Sequence, residues 1–181
     1  CTPAFPRDPK IHLDRMVSDG ASITKITLCS HSGTHIDAPS HYITDGDNVG
    51  NIPLSKINGI VQVVDLSGIS REIKPEDLKI RNNNRLLIKT GYSSLEHFEP
   101  NYTALSVECA EYFANSGMIC IGTDAPSIEP FEGDGSVHRK LLSANIAILE
   151  LLDLSNVKEE GIYIMNALPL PIKDCDGAPI R

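Results

Sequence analysis

The stretch Ser106-Val-Glu-Cys-Ala-Glu-Tyr-Phe-Ala-Asn-Ser-Gly-Met-Ile-Cys-Ile121 reads as a helix followed at once by a strand. Ser106 can cap the helix, because its hydroxyl can accept from a free amide of the first turn. Val107, Ala110, Phe113 and Ala114 recur at helical spacing and give the helix one apolar face. Gly117 stops it near Asn115, since glycine tolerates the left-handed backbone that ends helices. Met118-Ile-Cys-Ile121 is then a short apolar strand ending at Gly122-Thr-Asp124.

The same alternation continues outward in both directions. Downstream, His138 to Ser143 predicts a second helix, and Ile146-Ala-Ile-Leu149 a strand that ends near Glu150. Gly161 precedes a last strand, Ile162-Tyr-Ile-Met165. Upstream, Leu86-Leu-Ile-Lys89 and Ile60-Val-Gln-Val-Val-Asp-Leu66 read as strands. Pro75 to Lys79 predicts a short helix, with proline tolerated in its first turn. Thr24-Lys-Ile-Thr-Leu28 alternates polar and apolar, which predicts a strand with one buried face. Cys1 to Pro9 holds three prolines, including Pro3, and is expected to be irregular. Strands separated by helices point to α/β crossovers. The early strands lack helices between them, so the expected fold is α/β: a single domain over residues 1–181, with a mixed β-sheet and flanking helices.

Bulk properties narrow the function. The chain has 181 residues and a formal net charge of −8. That balance argues against nucleic-acid or anionic-membrane partners, which need a basic surface. No apolar run approaches the ~20 residues that span a bilayer. The five cysteines are scattered and form no C-x-x-C pair, which predicts free thiols in a reducing, cytoplasmic setting.

The chemistry concentrates in His31-Ser-Gly-Thr-His35-Ile-Asp37-Ala-Pro-Ser-His41. Imidazole and carboxylate are the usual ligands of zinc, manganese and iron. Several donors on one short segment converge at little loop-closure cost. Gly33 permits the tight path between His31 and His35, and Pro39 stiffens the exit towards His41. Gly33 and Pro39 also argue against a helix here, so the segment is expected to be a loop leaving a strand end. Glu150 is anomalous among Leu149, Leu151 and Leu152, because a carboxylate in an apolar strand is costly unless paired or metal-bound. His138, at a helix start, reads by itself as a surface residue. Cys29 reads as a small buried thiol, and Asp45-Gly46-Asp47 as a surface turn.

The His-rich segment resembles the H-x-G-T-H-x-D-x-P-x-H signature of the cyclase family, which includes kynurenine formamidases and isatin hydrolases. Gly122-Thr-Asp124-Ala-Pro126-Ser127-Ile-Glu129-Pro130 resembles that family's G-x-D-x-x-S-x-D-P stretch, and Leu168-Pro-Leu170 its C-terminal L-P-L. His138 and Glu150 keep the spacing of its later ligands. The resemblance implies a swivelling β/α/β fold and a homodimer or homotetramer. It implies His31, His35 and Asp37 as metal ligands, His138 and Glu150 as further ligands where two metals bind, and His41 as the catalytic acid/base. Departures are Glu129 where Asp is common, Leu151 where Asn is common, the lack of any Trp, and ends that look trimmed.

These readings together predict attack of metal-activated water on the carbonyl of a small amide of the N-formylkynurenine type. The expected cofactor is one or two divalent ions per subunit, zinc first and manganese as the alternative. Thr34 or Thr123 is expected to hydrogen-bond a ligand imidazole, and Asp124 and Ser127 to support the ligands or to contact the substrate. A neighbouring subunit is expected to complete the pocket through the segment around Phe5. Ring opening of an isatin-like amide or a lactone is the competing enzymatic reading. A non-catalytic metal- or small-molecule-binding protein is the reading from another class, and the free base at His41 weighs against it.

Overall fold

The computed structural model describes residues 5–81 and 83–181. Cys1 and Pro3 lie outside them. The described strands are β1 (His12–Ser18), β2 (Ala21–Thr27), β3 (His35–Asp37), β4 (Asn58–Asp65), β5 (Arg85–Lys89), β6 (Cys120–Thr123), β7 (Ala147–Glu150), β8 (Gly161–Asn166) and β9 (Gly177–Pro179). The described α-helices are α1 (Leu54–Ile57), α2 (Val107–Ala114) and α3 (Ser136–Ser143).

Seven strands form one mixed sheet in the order β8-β4-β5-β6-β7-β3-β9. Strands β4 to β7 run parallel, with α2 crossing from β5 to β6 and α3 from β6 to β7. The flanking strands β8, β3 and β9 are antiparallel to their neighbours. Parallel strands covered on both faces read as continuous apolar runs, which is why β4 to β7 were legible. Their side chains alternate between two cores. Val64, Leu86, Ile88, Ile121 and Ile148 pack against Phe113 of α2 and Leu141 of α3. Val61, Val63, Leu87 and Leu149 point the other way, towards Ile57 of α1 and Ile36 of β3. The α2 cap is the expected one: Ser106 Oγ accepts from the Cys109 amide at 3.2 Å, and Gly117 follows at φ +77°.

Three expectations need correction. The His-rich segment is not simply a loop, because pairing with β7 and β9 makes its centre a three-residue strand. Strand β2 has no buried face; all seven of its residues are exposed. It pairs only with β1, in a separate hairpin whose Asp19-Gly20 turn has positive φ at both residues, 50° and 79°. Pro75–Asp77 forms a single 3-10 turn rather than a helix reaching Lys79. Among the described residues, no helix is long and apolar enough to cross a membrane.

Candidate metal centre

Strand periodicity builds the site. His35 and Asp37 are two residues apart on β3, so they share a face while Ile36 enters the opposite core. Antiparallel register sets His35 directly across from Glu150 at the end of β7. The first turn of α3 brings His138 to the same place. Gly33, at φ +66°, turns the chain so that His31 meets Asp37. His35, Asp37, His138 and Glu150 are all buried, at most 5% exposed.

Two donor sets converge on shared carboxylates. In the first, His31 Nδ1 lies 2.9 Å and His35 Nε2 3.3 Å from Asp37 Oδ1. In the second, His138 Nε2 lies 3.7 Å from Asp37 Oδ2 and 3.2 Å from Glu150 Oε1. Glu150 reaches back to the first set, with Oε2 3.4 Å from His35 Nε2. Asp37 and Glu150 therefore face both sets. His35 Nε2 and Asp37 Oδ2 are buried and have no hydrogen-bond partner among the described residues. An orphaned buried polar atom costs about 1–3 kcal/mol. Nitrogen and oxygen donors gathered this way, with two of them unsatisfied, fit a divalent metal.

Each imidazole turns its other nitrogen to an outer acceptor. His35 Nδ1 is 2.8 Å from the Gly33 carbonyl, and His138 Nδ1 is 2.8 Å from Glu129 Oε2. His31 Nε2 is 3.1 Å from Asp176 Oδ2. Such partners fix the tautomer and the direction of a metal-binding lone pair. The expected bonds from Thr34 and Thr123 to imidazoles are not formed. Thr34 Oγ1 donates to the Leu151 carbonyl at 2.6 Å, and Thr123 Oγ1 accepts from the Ala125 amide at 3.1 Å. Glu129, longer than the usual Asp, still serves His138. A Cβ on Gly133 would collide with Glu129 Cγ, so glycine there leaves room for the extra methylene.

Charge is balanced locally. Burial disfavours charge on His138, but bonds to Glu129 and Glu150 outweigh it and raise its pKa to about 10. Burial likewise opposes charge on His35, and Asp37 and Glu150 overcome it. Burial opposes charge on Asp37, but the neighbouring imidazoles of His31 and His35 outweigh it and hold its carboxyl well below the usual carboxylate range. His41 goes the other way: burial lowers its pKa, which keeps it neutral at neutral pH.

The cluster floors a small cavity of about 100 Å³. His41, Tyr42, Ser127 and Leu151 line its walls. Phe5 lines the pocket of its own chain. It packs on Phe98 and Phe131, with ring centroids 5.7 and 5.6 Å away. Three of the four phenylalanines thus gather at one mouth. Leu151 holds a left-handed backbone, φ +53°, pinned by Ala125 and Thr34. Asp124 does not face the cavity; its carboxylate accepts from Thr90, Gly91 and Ser93 and fastens the loop after β5. Cys29 is half-buried and belongs to none of the ligand groups. Asp176, which bonds both His31 and His41, escaped the sequence reading: its partners lie more than 130 residues away, and no local pattern marks it.

The cyclase family model matches residues 1–130. A kynurenine formamidase of Erythrobacter litoralis is 36% identical over 99% of this chain and 86% of its own length. A solved structure described as a potential metal-dependent hydrolase with cyclase activity superposes with a TM-score of 0.88 at 31% identity, covering 99% of this chain and 89% of that one. Isatin hydrolase A from Labrenzia aggregata shares the fold, with a TM-score of 0.79 at 22% identity over 98% of this chain and 83% of that one. With the family model matching most of its length and a relative 36% identical over nearly all of it, the chain belongs to the cyclase family.

Proposed function

We propose that this chain is a metal-dependent hydrolase of a small aryl amide, of the N-formylkynurenine type. The observation that carries the reading is the pair of donor sets joined by Asp37 and Glu150, with His41 at their edge on the cavity wall. His31, His35 and Asp37 would hold one ion, and Asp37, His138 and Glu150 a second. Their nitrogen and oxygen donors favour zinc, with manganese as the alternative. A divalent ion bound there would acidify a water and polarise the substrate carbonyl. His41, neutral and partly buried, is suited to take a proton and to pass it to the leaving amine. Phe5, backed by Phe98 and Phe131, offers an aromatic ring the wall it lacks for want of tryptophan. Leu151 adds an apolar surface beside Glu150.

The assembly reading is a homodimer or homotetramer. The chain exposes 10124 Å², against about 8,600 Å² expected of a compact monomer of its mass. The excess exceeds the roughly 800 Å² that each partner of a standard interface buries. Much of it belongs to the β1–β2 hairpin, where Leu13, Val17 and Ile26 share one exposed face. The four described cysteines are free, which favours a reducing compartment such as the cytoplasm.

The test is a hydrolysis screen of the zinc- and manganese-loaded protein on N-formylkynurenine, isatin and simple lactones. Preferred turnover of the formamide is expected. Preference for isatin or a lactone would move the substrate to a ring, and no hydrolysis of any of them would overturn the enzymatic reading.

A further inference from the structure

We infer that Asp176 is the positioning residue for His41, fixing its ring and tautomer so that Nε2 serves as the base. This rests on the hydrolase reading above. The segment before β9 is pinned on both sides: the Asp176 carbonyl accepts from the Ala38 amide and the Cys175 carbonyl from the Val49 amide, both at 2.9 Å. Gly177 makes the close approach possible. A Cβ there would lie 2.7 Å from the Ile36 carbonyl oxygen and 2.9 Å from His31 Cε1, so a side chain would push the segment off β3.

The result is a carboxylate aimed between two imidazoles. Asp176 Oδ1 accepts from Ser30 Oγ at 2.9 Å. Asp176 Oδ2 lies 3.1 Å from His31 Nε2 and 3.2 Å from His41 Nδ1. The two rings lie 4.0 Å apart at 35°, so one oxygen can serve both. A carboxylate at neutral pH only accepts, so each facing nitrogen must carry its proton. On His41 the proton therefore sits on Nδ1. Nε2, which makes no hydrogen bond within the described residues, keeps its lone pair. On His31 the same oxygen faces Nε2, while Nδ1 faces Asp37. Asp176 thus ties the direction of the base to the direction of a ligand. Its side chain is 41% exposed, so solvent screens its charge and its effect lies in orientation.

The test uses the zinc-loaded full chain with Asp176→Asn, which is isosteric at a partly exposed position and preserves the fold. Long-range ¹H–¹⁵N spectra report the His41 tautomer independently of any substrate. Wild type is expected to show a protonated Nδ1, and Asp176→Asn a mixed or reversed tautomer. Zinc content is expected to stay near wild type. Turnover is expected to fall by about 10–100-fold with KM little changed, the usual cost of losing such a partner. In a His41→Ala background the Asp176→Asn change should add no further loss, because the two act as one unit. An unchanged His41 tautomer in Asp176→Asn would overturn the proposal, as would additive losses with His41→Ala. Loss of zinc with the tautomer preserved would reassign Asp176 to metal retention. If wild type hydrolyses nothing, the hydrolase reading fails, while the tautomer measurement still decides what Asp176 does to His41.

Discussion

The β1–β2 hairpin and the β3–β7–α3 corner invert ordinary burial in opposite senses. At the corner, His35, Asp37, His138 and Glu150 are charged or polar and buried. On the hairpin, Leu13, Val17 and Ile26 are apolar and 54%, 74% and 59% exposed. Both arrangements cost free energy unless a partner group offsets them. Buried carboxylates need cations, and a two-stranded hairpin is marginal in water without a covering surface. The corner answers its cost internally, with imidazoles that a metal can replace as counter-charge. The hairpin has no such answer among the described residues, and in the proposed assembly a second copy of the chain covers it.

The largest expected effect is at the corner's shared carboxylate. Glu150→Gln should lower bound metal and abolish hydrolysis while the fold stays assembled, as measured by metal analysis beside circular dichroism. Unchanged metal and turnover would remove Glu150 from the ligand set. His41→Ala separates chemistry from binding. Metal content should stay near wild type while turnover falls by about 10²–10⁴-fold, the range for losing a positioned proton-transfer group. Loss of metal in that variant would make His41 a ligand.

A pH effect follows from His138. Its folded pKa is raised to about 10, above the usual value near 6.5 for the unfolded chain. Its contribution to stability is therefore complete below about pH 6.5 and is lost as pH rises towards 10. Chelated protein should lose several degrees of Tm across that window. Metal-loaded protein should lose much less, because binding has already displaced the proton. Equal slopes for the two forms would show that the ion does not take the proton's place. The smallest effect on the isolated chain belongs to the hairpin. Val17→Lys or Ile26→Lys should change monomer stability by only about 0.5 kcal/mol, as exposed substitutions do. The same variants should shift the assembly towards monomer in light scattering; an unaltered mass would place the interface elsewhere.

The two regions also differ in how much of each could be read from the sequence. The spacing of His35 and Asp37 with an apolar residue between them fits one face of a strand, yet Gly33 and Pro39 disguised β3 as a loop. Its strand character comes from β7 and β9, partners more than 100 residues away. Glu150 was legible because a carboxylate in an apolar run is anomalous by itself. His138 was not, since nothing local tells a buried helix-start histidine from a surface one. In the hairpin, β2 was found by its alternation, but alternation cannot say whether a core exists to receive the apolar face. Strand β1 was missed although Asp19-Gly20, a turn pair that takes positive φ twice, announced it. Helix α2 and the parallel strands were read to within two residues at each end, because cap, stripe and apolar run all agreed there.

The central claim is that the buried cluster holds a pair of divalent ions for hydrolysis. The most direct test is zinc titration of chelated protein, with metal bound per chain and hydrolysis of N-formylkynurenine followed together. The account predicts no activity without metal, and activity that rises with zinc and saturates at two ions per chain. Full activity in metal-free protein would contradict it.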